Sequence, residues 1–249
     1  MTTQFRLCTL SLLLLVSGLA NAQYVSKKQR FKKDWVSKIE IAKKEKLVLK
    51  KANIYCDTLI MHDYAVLKID SVQEFFMFAN YVQIGKKCVI DAQGKAGKKL
   101  ALVSDYPKTI GKPGKNLSLK FNIYKLGDLK INTRGGKAGK AFFKDVTRQF
   151  ELVGIGGSGG NVSFHYYAPF TIMRQRRSRK KPNVWFNTDI GKMEDNIRQY
   201  NMAPMDVRQQ FSTNAGQRIG RFESERNMEV NKRKKGLVTV QKFLAPITQ

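Results

Sequence analysis

The sequence has few of the residues from which most catalytic and metal sites are built. Two histidines and three cysteines occur among 249 residues. His62 and His165 lie far apart, and the spacing of histidine and cysteine fits no zinc site. No nucleophile elbow and no phosphate-binding glycine loop with its lysine is present. We therefore assign no catalytic, cofactor-binding or metal-binding residue, and an enzyme is the less favoured interpretation.

Cysteine is too scarce to predict a disulfide framework. After position 22 only Cys56 and Cys88 remain. An oxidising compartment would permit a disulfide between them. The sequence leaves two alternatives open, a Cys56–Cys88 bridge or two buried free thiols.

Long apolar runs are also scarce, and the single one lies at the start of the chain. It extends from Leu7 to Ala20, follows Arg6, and ends in the small-x-small sequence Ala20-Asn21-Ala22. This order is typical of a secretory signal peptide, and the run is shorter than the ~20 residues that cross a bilayer as a helix. We predict cleavage after Ala22, no transmembrane span in the mature chain, and an extracytoplasmic location: periplasm, outer membrane, cell surface or medium.

Acidic residues are the third deficiency. The chain has 46 Lys and Arg against 19 Asp and Glu, a formal net charge of +27, and the segment 1–22 contains only one of these charges, Arg6. Such an excess creates a positive potential that attracts polyanions. The predicted partners are anionic polysaccharide, lipopolysaccharide or another polyanion, and an envelope protein as an assembly partner.

The densest cation run is the predicted polyanion site. Six of the eight residues from 174 to 181 are cations, and two aromatic residues that could stack on a sugar or base, Trp185 and Phe186, follow. We hypothesise that this segment is the main polyanion contact, against the alternative of a solvated basic loop. The site residues are Arg174, Arg176, Arg177, Arg179, Lys180, Lys181 and Trp185.

What the chain does contain is an internal repeat of short alternating segments. IDAQGKAGK, which begins at Ile90, returns as INTRGGKAGK at Ile131, and GKNLSLKF at Gly114 returns as GGNVSFHY at Gly159. The two shifts are nearly equal, and a fainter echo places Ile69 opposite Ile90 at about half that interval. A unit of roughly 20 residues, two per clear repeat, has the size of a β-solenoid coil. Glycines are expected to form the turns between strands.

Asparagine occupies equivalent positions in the two copies of the second repeat block. Asn116-Leu117-Ser118 and Asn161-Val162-Ser163 are formal glycosylation sequons. We interpret both asparagines structurally, as residues that cap or begin a strand.

The pattern predicts a mainly β fold: a short parallel β-helix or solenoid-like repeat domain with a basic, partly helical C-terminal segment. An antiparallel β-sandwich is the alternative. The predicted divisions are a signal peptide (1–22), a basic leader (23–51), a β-rich repeat domain (52–170), and a basic linker with a helical segment (171–249). Helical spacing runs from Val207 to Phe222, and residues 237–244 are either a last strand or an extended tail.

The blocks VIDAQGKAGK, INTRGGKAGK and GGSGGNVSF resemble the glycine-turn repeats of secreted bacterial proteins. In that loose group, mostly uncharacterised envelope proteins, strands containing aspartate or asparagine alternate with Gly-x-x-Gly turns. The resemblance covers roughly Val66 to Tyr167. It implies an extracytoplasmic location and a β-rich repeat body, and it implies no activity.

These observations predict a non-enzymatic envelope or surface protein, structural, adhesive or polyanion-binding. The alternative is a polysaccharide lyase on a parallel β-helix, in which Arg or Lys abstracts the proton alpha to a uronate carboxylate. The sequence therefore does not decide whether the protein is an enzyme.

Overall fold

The computed structural model describes residues 35–100, 108–144, 149–174, 182–193, 198–200 and 230–248, and these residues are mainly β. No helix among them has the length and apolar character needed to span a membrane. The strands are β1 (Trp35–Ile41), β2 (Lys46–Leu49), β3 (Asn53–Met61), β4 (Val66–Ile69), β5 (Glu74–Ile84), β6 (Cys88–Asp91), β7 (Lys99–Leu100), β8 (Asn116–Leu126), β9 (Asp128–Asn132), β10 (Lys140–Lys144), β11 (Gln149–Val153), β12 (Val162–Tyr167), β13 (Asn183–Asn187), β14 (Arg198–Tyr200) and β15 (Val238–Phe243).

The strands form three sheets. Sheet A has the order β1-β3-β5-β8-β12-β15, sheet B the order β13-β9-β6-β4-β2, and sheet C the order β14-β11-β10-β7. Every pair in sheets A and B is parallel, whereas sheet C is mixed. The antiparallel alternative is therefore wrong for the two larger sheets.

Successive strands alternate between sheets A and B. From β1 to β6 each sheet-A strand is followed directly by a sheet-B strand, and β8–β9 and β12–β13 repeat this order. The short strands of sheet C occur in the longer connections from sheet B back to sheet A. Parallel neighbours need such crossovers, because a tight hairpin can only join antiparallel strands.

The core lies on the inward faces of sheets A and B, where alternate strand residues are apolar and buried. Ile90 and Ile131 are both fully buried and lie directly opposite each other on β6 and β9. The two isoleucines that begin the repeated sequence blocks therefore occupy equivalent buried positions. On sheet A, Phe121 of β8 and Phe164 of β12 are diagonal neighbours and pack edge to face, with ring centroids 6.0 Å apart.

The strand register confirms both shifts of the internal repeat. Ile90 pairs with Ile131, and Leu117 pairs with Val162, which are the offsets between the repeated blocks of the sequence. The fainter echo was misaligned, because Leu67 pairs with Ile90, not Ile69. The true interval at that point is therefore two positions longer than the echo suggested.

The expectation of two short units per clear repeat is wrong. Each repeat block adds one strand to sheet A and one to sheet B. Early neighbours in sheet A are close in sequence, as in the pair Trp35 and Tyr55, whereas the last pair, Val162 and Val238, is far apart. The described part of these longer intervals lies in glycine-bearing connections and in sheet C, so the sequence interval grows although the strands remain neighbours in the sheet.

Both ends of the predicted repeat domain extend further than the sequence suggested. The strands β1 and β2 lie within the segment interpreted as a basic leader, and Ile39 and Ile41 are buried in the core. Residues 237–244 were expected to form either a last strand or an extended tail, and the structure has a strand there, β15. The helical spacing from Val207 to Phe222 lies outside the described residues.

Candidate polyanion-binding surface

Six glycine-bearing runs pack side by side next to sheets A and B, and we call them the glycine bundle. Three outgoing runs follow strands of sheet B, and three returning runs precede strands of sheet A. The outgoing runs are residues 92–98, 133–139 and 188–192, and the returning runs are residues 108–115, 154–160 and 233–236.

Main-chain hydrogen bonds join the runs at three-residue steps. Gly94 and Gly97 donate to the carbonyls of Arg134 and Lys137, each at 2.9 Å, so these outgoing runs are parallel. Outgoing and returning runs are antiparallel to each other: Gly136 donates to Lys112 O at 2.8 Å and Gly139 to Thr109 O at 2.7 Å. A three-residue repeat without internal hydrogen bonds is the period of an extended polyproline II helix.

Glycine is required here by close packing, not by turning. Positive φ occurs at Lys44, Tyr64, Ser71 and Lys87 but at none of the described glycines. A Cβ added at Gly157 would lie less than 3.0 Å from Lys112 O, and one at Gly136 equally close to Lys95 O. The interpretation of these glycines as turn residues was therefore wrong.

Most of the exposed positions of the glycine bundle carry lysine. Asp189 is the one acidic residue in the six runs. It pairs with Lys235 at 3.1 Å, and Lys95 pairs with Asp70 at 3.3 Å. Exposed lysines of the runs are Lys95, Lys98, Lys108, Lys112, Lys137, Lys192, Lys234 and Lys235.

The register of the runs brings lysines from different repeats together. The pairing of β9 with β13 continues into the bundle, where Thr133 donates to Asn187 O at 2.9 Å and Ala138 donates to Lys192 O at 2.9 Å. Lys137 therefore lies beside Lys192 on the neighbouring run. Along one run, Lys95 and Lys98 are three residues apart, about 9 Å at the polyproline II rise. The result is a fixed array of exposed cations on a hydrogen-bonded backbone.

Two cations of the bundle have structural roles instead. Arg134 donates from Nε to Ile190 O at 3.1 Å, which links two outgoing runs. Lys115 is 6% exposed and donates from Nζ to Gln93 O at 3.2 Å. Burial lowers the pKa of Lys115, and the nearby Asp70 and Asp91 partly offset this effect. Neither side chain is available to an external anion in the way the exposed lysines are.

The predicted arginine run is only partly described. Arg174 is exposed and follows the isolated bridge between Met173 and Asn183. Trp185 lies on β13, half-buried, with Lys130 Nζ 4.8 Å from its ring centroid. Phe186 packs against the core and so is not a stacking platform. Arg176, Arg177, Arg179, Lys180 and Lys181 lie outside the described residues.

Of the two alternatives for the cysteines, the structure has free, buried thiols, and the Cys56–Cys88 disulfide is absent. Cys56 Sγ, on β3 of sheet A, lies 3.0 Å from Thr58 O. Cys88 Sγ, at the start of β6 in sheet B, lies 3.1 Å from His62 O. Burial raises the pKa of both thiols. Buried thiols of this kind are unreactive packing groups.

Each of the two histidines contacts side chains close to it on the sheet. His62 Nε2 lies 2.8 Å from Glu40 Oε1, and His165 contacts Ser163 Oγ at 3.2 Å and the ring of Phe243. Among the described residues no group of three or more His, Cys, Asp or Glu side chains could hold a metal ion.

A hollow of about 620 Å³ lies at the start of the sheet-A strands, but its amides are engaged in the fold. Asn116 Oδ1 accepts from Asn161 N at 3.0 Å, and Asn161 Oδ1 accepts from Leu237 N at 2.9 Å. Both asparagines thus tie one strand start to the next, which confirms their structural interpretation.

The exposed lysines of the glycine bundle are the functional candidates that sequence reasoning missed. The signal was present in the repeated Gly-Lys-x-Gly-Lys pattern at Gly94 and Gly136. Comparisons of the chain with protein-family models, curated proteins and solved structures found no match.

Proposed function

We propose that the chain is an exported, non-enzymatic envelope protein that binds polyanions through the exposed lysines of the glycine bundle. One observation carries the proposal: lysines recur on adjacent runs, and a single aspartate, Asp189, lies among them. Such a field attracts an anionic chain at long range. Contact then releases its condensed counterions, which supplies the binding free energy.

The backbone under these lysines favours binding of an extended ligand. Hydrogen bonds of 2.7–3.0 Å hold neighbouring runs together, so the Cα positions of the lysines are fixed before a ligand arrives. A preorganised surface loses less conformational entropy on binding than a mobile loop. This is why we place the main contact on the glycine bundle and give the arginine run 174–181 a secondary role.

The finer architecture also belongs to this proposal. The alternation of strands between sheets A and B supports a parallel β-solenoid, in which each turn of the chain contributes one strand to each sheet. The glycine bundle then lies in the connections between turns. Export rests on the signal-like sequence of residues 1–22, and the envelope is where lipopolysaccharide and acidic polysaccharide occur together.

The proposal predicts the salt dependence of binding to heparin, used as the probe polyanion. In the variant Lys95→Gln, Lys98→Gln, Lys137→Gln and Lys192→Gln, the slope of log affinity against log salt should flatten by about three, since each lost contact removes roughly 0.7–0.9. Isothermal titration at several salt concentrations measures this slope.

A matched control removes four exposed lysines elsewhere: Lys43→Gln, Lys44→Gln, Lys46→Gln and Lys50→Gln. For this control, the slope of log affinity against log salt should differ from the wild-type slope by no more than about one. A third protein, with Arg174, Arg176, Arg177 and Arg179 changed to glutamine, measures the contribution of the arginine run. Equal flattening in the control and the bundle variant, or flattening in the arginine variant alone, would disprove the proposed site.

A further inference from the structure

The last strand of sheet A leaves an open edge. In the sheet order, β15 follows β12 and has no neighbour on its other side among the described residues. The N–H of Val162 donates to Leu237 O at 2.8 Å, which fixes the alternation of the parallel ladder. The N–H and C=O groups of Val238, Val240 and Lys242 therefore face away from β12.

This edge has few of the features that natural proteins use to prevent strand addition. The register runs without a bulge from the pair Val162–Val238 to the pair Tyr167–Phe243. The strand contains no proline, and Lys242 is its one charged residue. A straight edge of six residues is a template for another strand.

The side chains around the edge are apolar and exposed. Leu237 is 75% exposed, Val238 40% and Leu244 98%. Val240 is half-buried against the end of the core. Exposed apolar residues grouped at one edge mark an interaction site, whereas scattered ones do not.

The described residues that follow β15 turn away from its outer edge. Ile247 donates to Asn122 Oδ1 at 2.8 Å, and the Asn122 amide donates back to Ile247 O at 3.1 Å. Asn122 belongs to β8, two strands further into sheet A. The tail therefore crosses the outer face of the sheet and does not extend over its edge.

The positive charges around β15 determine which kind of strand can pair with its outer edge. Lys234 and Lys235 directly precede the edge and Lys242 lies within it, so a second copy of this strongly basic chain would be repelled. We propose that β15 receives an extended segment of a partner protein whose apolar residues alternate with acidic ones. Main-chain hydrogen bonds to Val238, Val240 and Lys242 supply affinity, and the lysines select acidic side chains. Lys234 and Lys235 also belong to the glycine bundle, so the two interactions share these lysines but differ in their main-chain contacts.

The test uses a synthetic eight-residue peptide that alternates valine with glutamate, together with a lysine-for-glutamate version. The wild-type protein should bind the acidic peptide at least tenfold more tightly than the basic one. Backbone amides of Val238, Val240 and Lys242 should become protected from hydrogen exchange when the acidic peptide is added. Fluorescence anisotropy and NMR measure the two effects.

Two variants of one position separate the main-chain contact from the side-chain contact. Val240→Pro, the edge variant, removes an N–H that faces away from β12 and should weaken peptide binding at least tenfold, while proline is tolerated at an edge position whose N–H has no partner in the sheet. Val240→Ala shortens the same side chain but keeps the N–H and should preserve most of the binding. Heparin binding and cooperative melting of both variants show that the fold and the lysine surface are intact.

Absence of binding to the wild type at millimolar peptide overturns the proposal. So does equal binding of both peptides, or equal binding by Val240→Pro and Val240→Ala. Concentration-dependent self-association of the wild type, abolished by the edge variant, would assign the edge to a second copy instead. None of these results bears on heparin binding, so the two proposals fail separately.

Discussion

Gly157→Ala is expected to destabilise the protein by about 3 kcal/mol or more, at the upper end of overpacking costs. The added methyl group would lie less than 3.0 Å from the main-chain carbonyl of Lys112, in the middle of the glycine bundle. A flexible side chain could move aside, but a hydrogen-bonded backbone cannot do so without breaking contacts on both sides. Urea unfolding followed by circular dichroism measures the loss.

The matched control is Lys137→Ala, which removes an exposed side chain from a neighbouring run and adds no atom to the interior. Its unfolding free energy should stay within about 0.5 kcal/mol of the wild type, as for most surface changes. If Gly157→Ala is as mild as this control, the runs are not packed at main-chain distance and the bundle is not the rigid support described above.

Ile131→Ala is expected to cost about 2–5 kcal/mol as a large-to-small core substitution. Ile131 is fully buried on β9, opposite Ile90 of β6 and Phe186 of β13, so the cavity would open between three consecutive strands of sheet B. Denaturant unfolding of the variant gives the value directly.

Val89→Ala serves as the comparison, because Val89 is a half-buried residue on the outer face of the same sheet. It should cost less than about 1 kcal/mol, since little core volume is lost. An equal loss of unfolding free energy in Ile131→Ala and Val89→Ala would mean that the inward face of sheet B is not the core.

The repeat was predictable from sequence wherever identical side chains meet in space. Ile90 and Ile131 share a pattern of neighbours because both must fill the same buried position, and burial restricts the choice of residue. The pairing of Leu67 with Ile90 was harder to predict, because alternating apolar residues allow several registers over a strand of four residues.

The glycine bundle could not be predicted in the same way. Glycine in a sequence indicates either a backbone turn or a close approach of two chains, and local pattern does not distinguish them. The close approach becomes visible only when distant segments such as 108–115 and 154–160 are seen to lie side by side. Another non-local pairing, between the runs 133–139 and 188–192, places Lys137 beside Lys192. The sequence shows each lysine but does not show that they form an array.

Cation density along the sequence and cation density in space favour different candidate sites. The arginine run stood out because its cations are consecutive, whereas the bundle lysines are widely spread along the chain and converge only through the parallel register. Trp185 was expected to bind a ligand but contacts Lys130, its neighbour on the adjacent strand. The choice between the two surfaces is therefore a question about solution binding.

Lysine footprinting addresses that question most directly. The protein is acetylated with and without heparin, and the modification of each lysine is quantified by mass spectrometry. The account predicts that Lys98, Lys112, Lys137 and Lys192 lose reactivity when heparin is bound, while Lys43, Lys44 and Lys46 keep theirs. Protection of Lys180 and Lys181, with the bundle lysines unchanged, would contradict it.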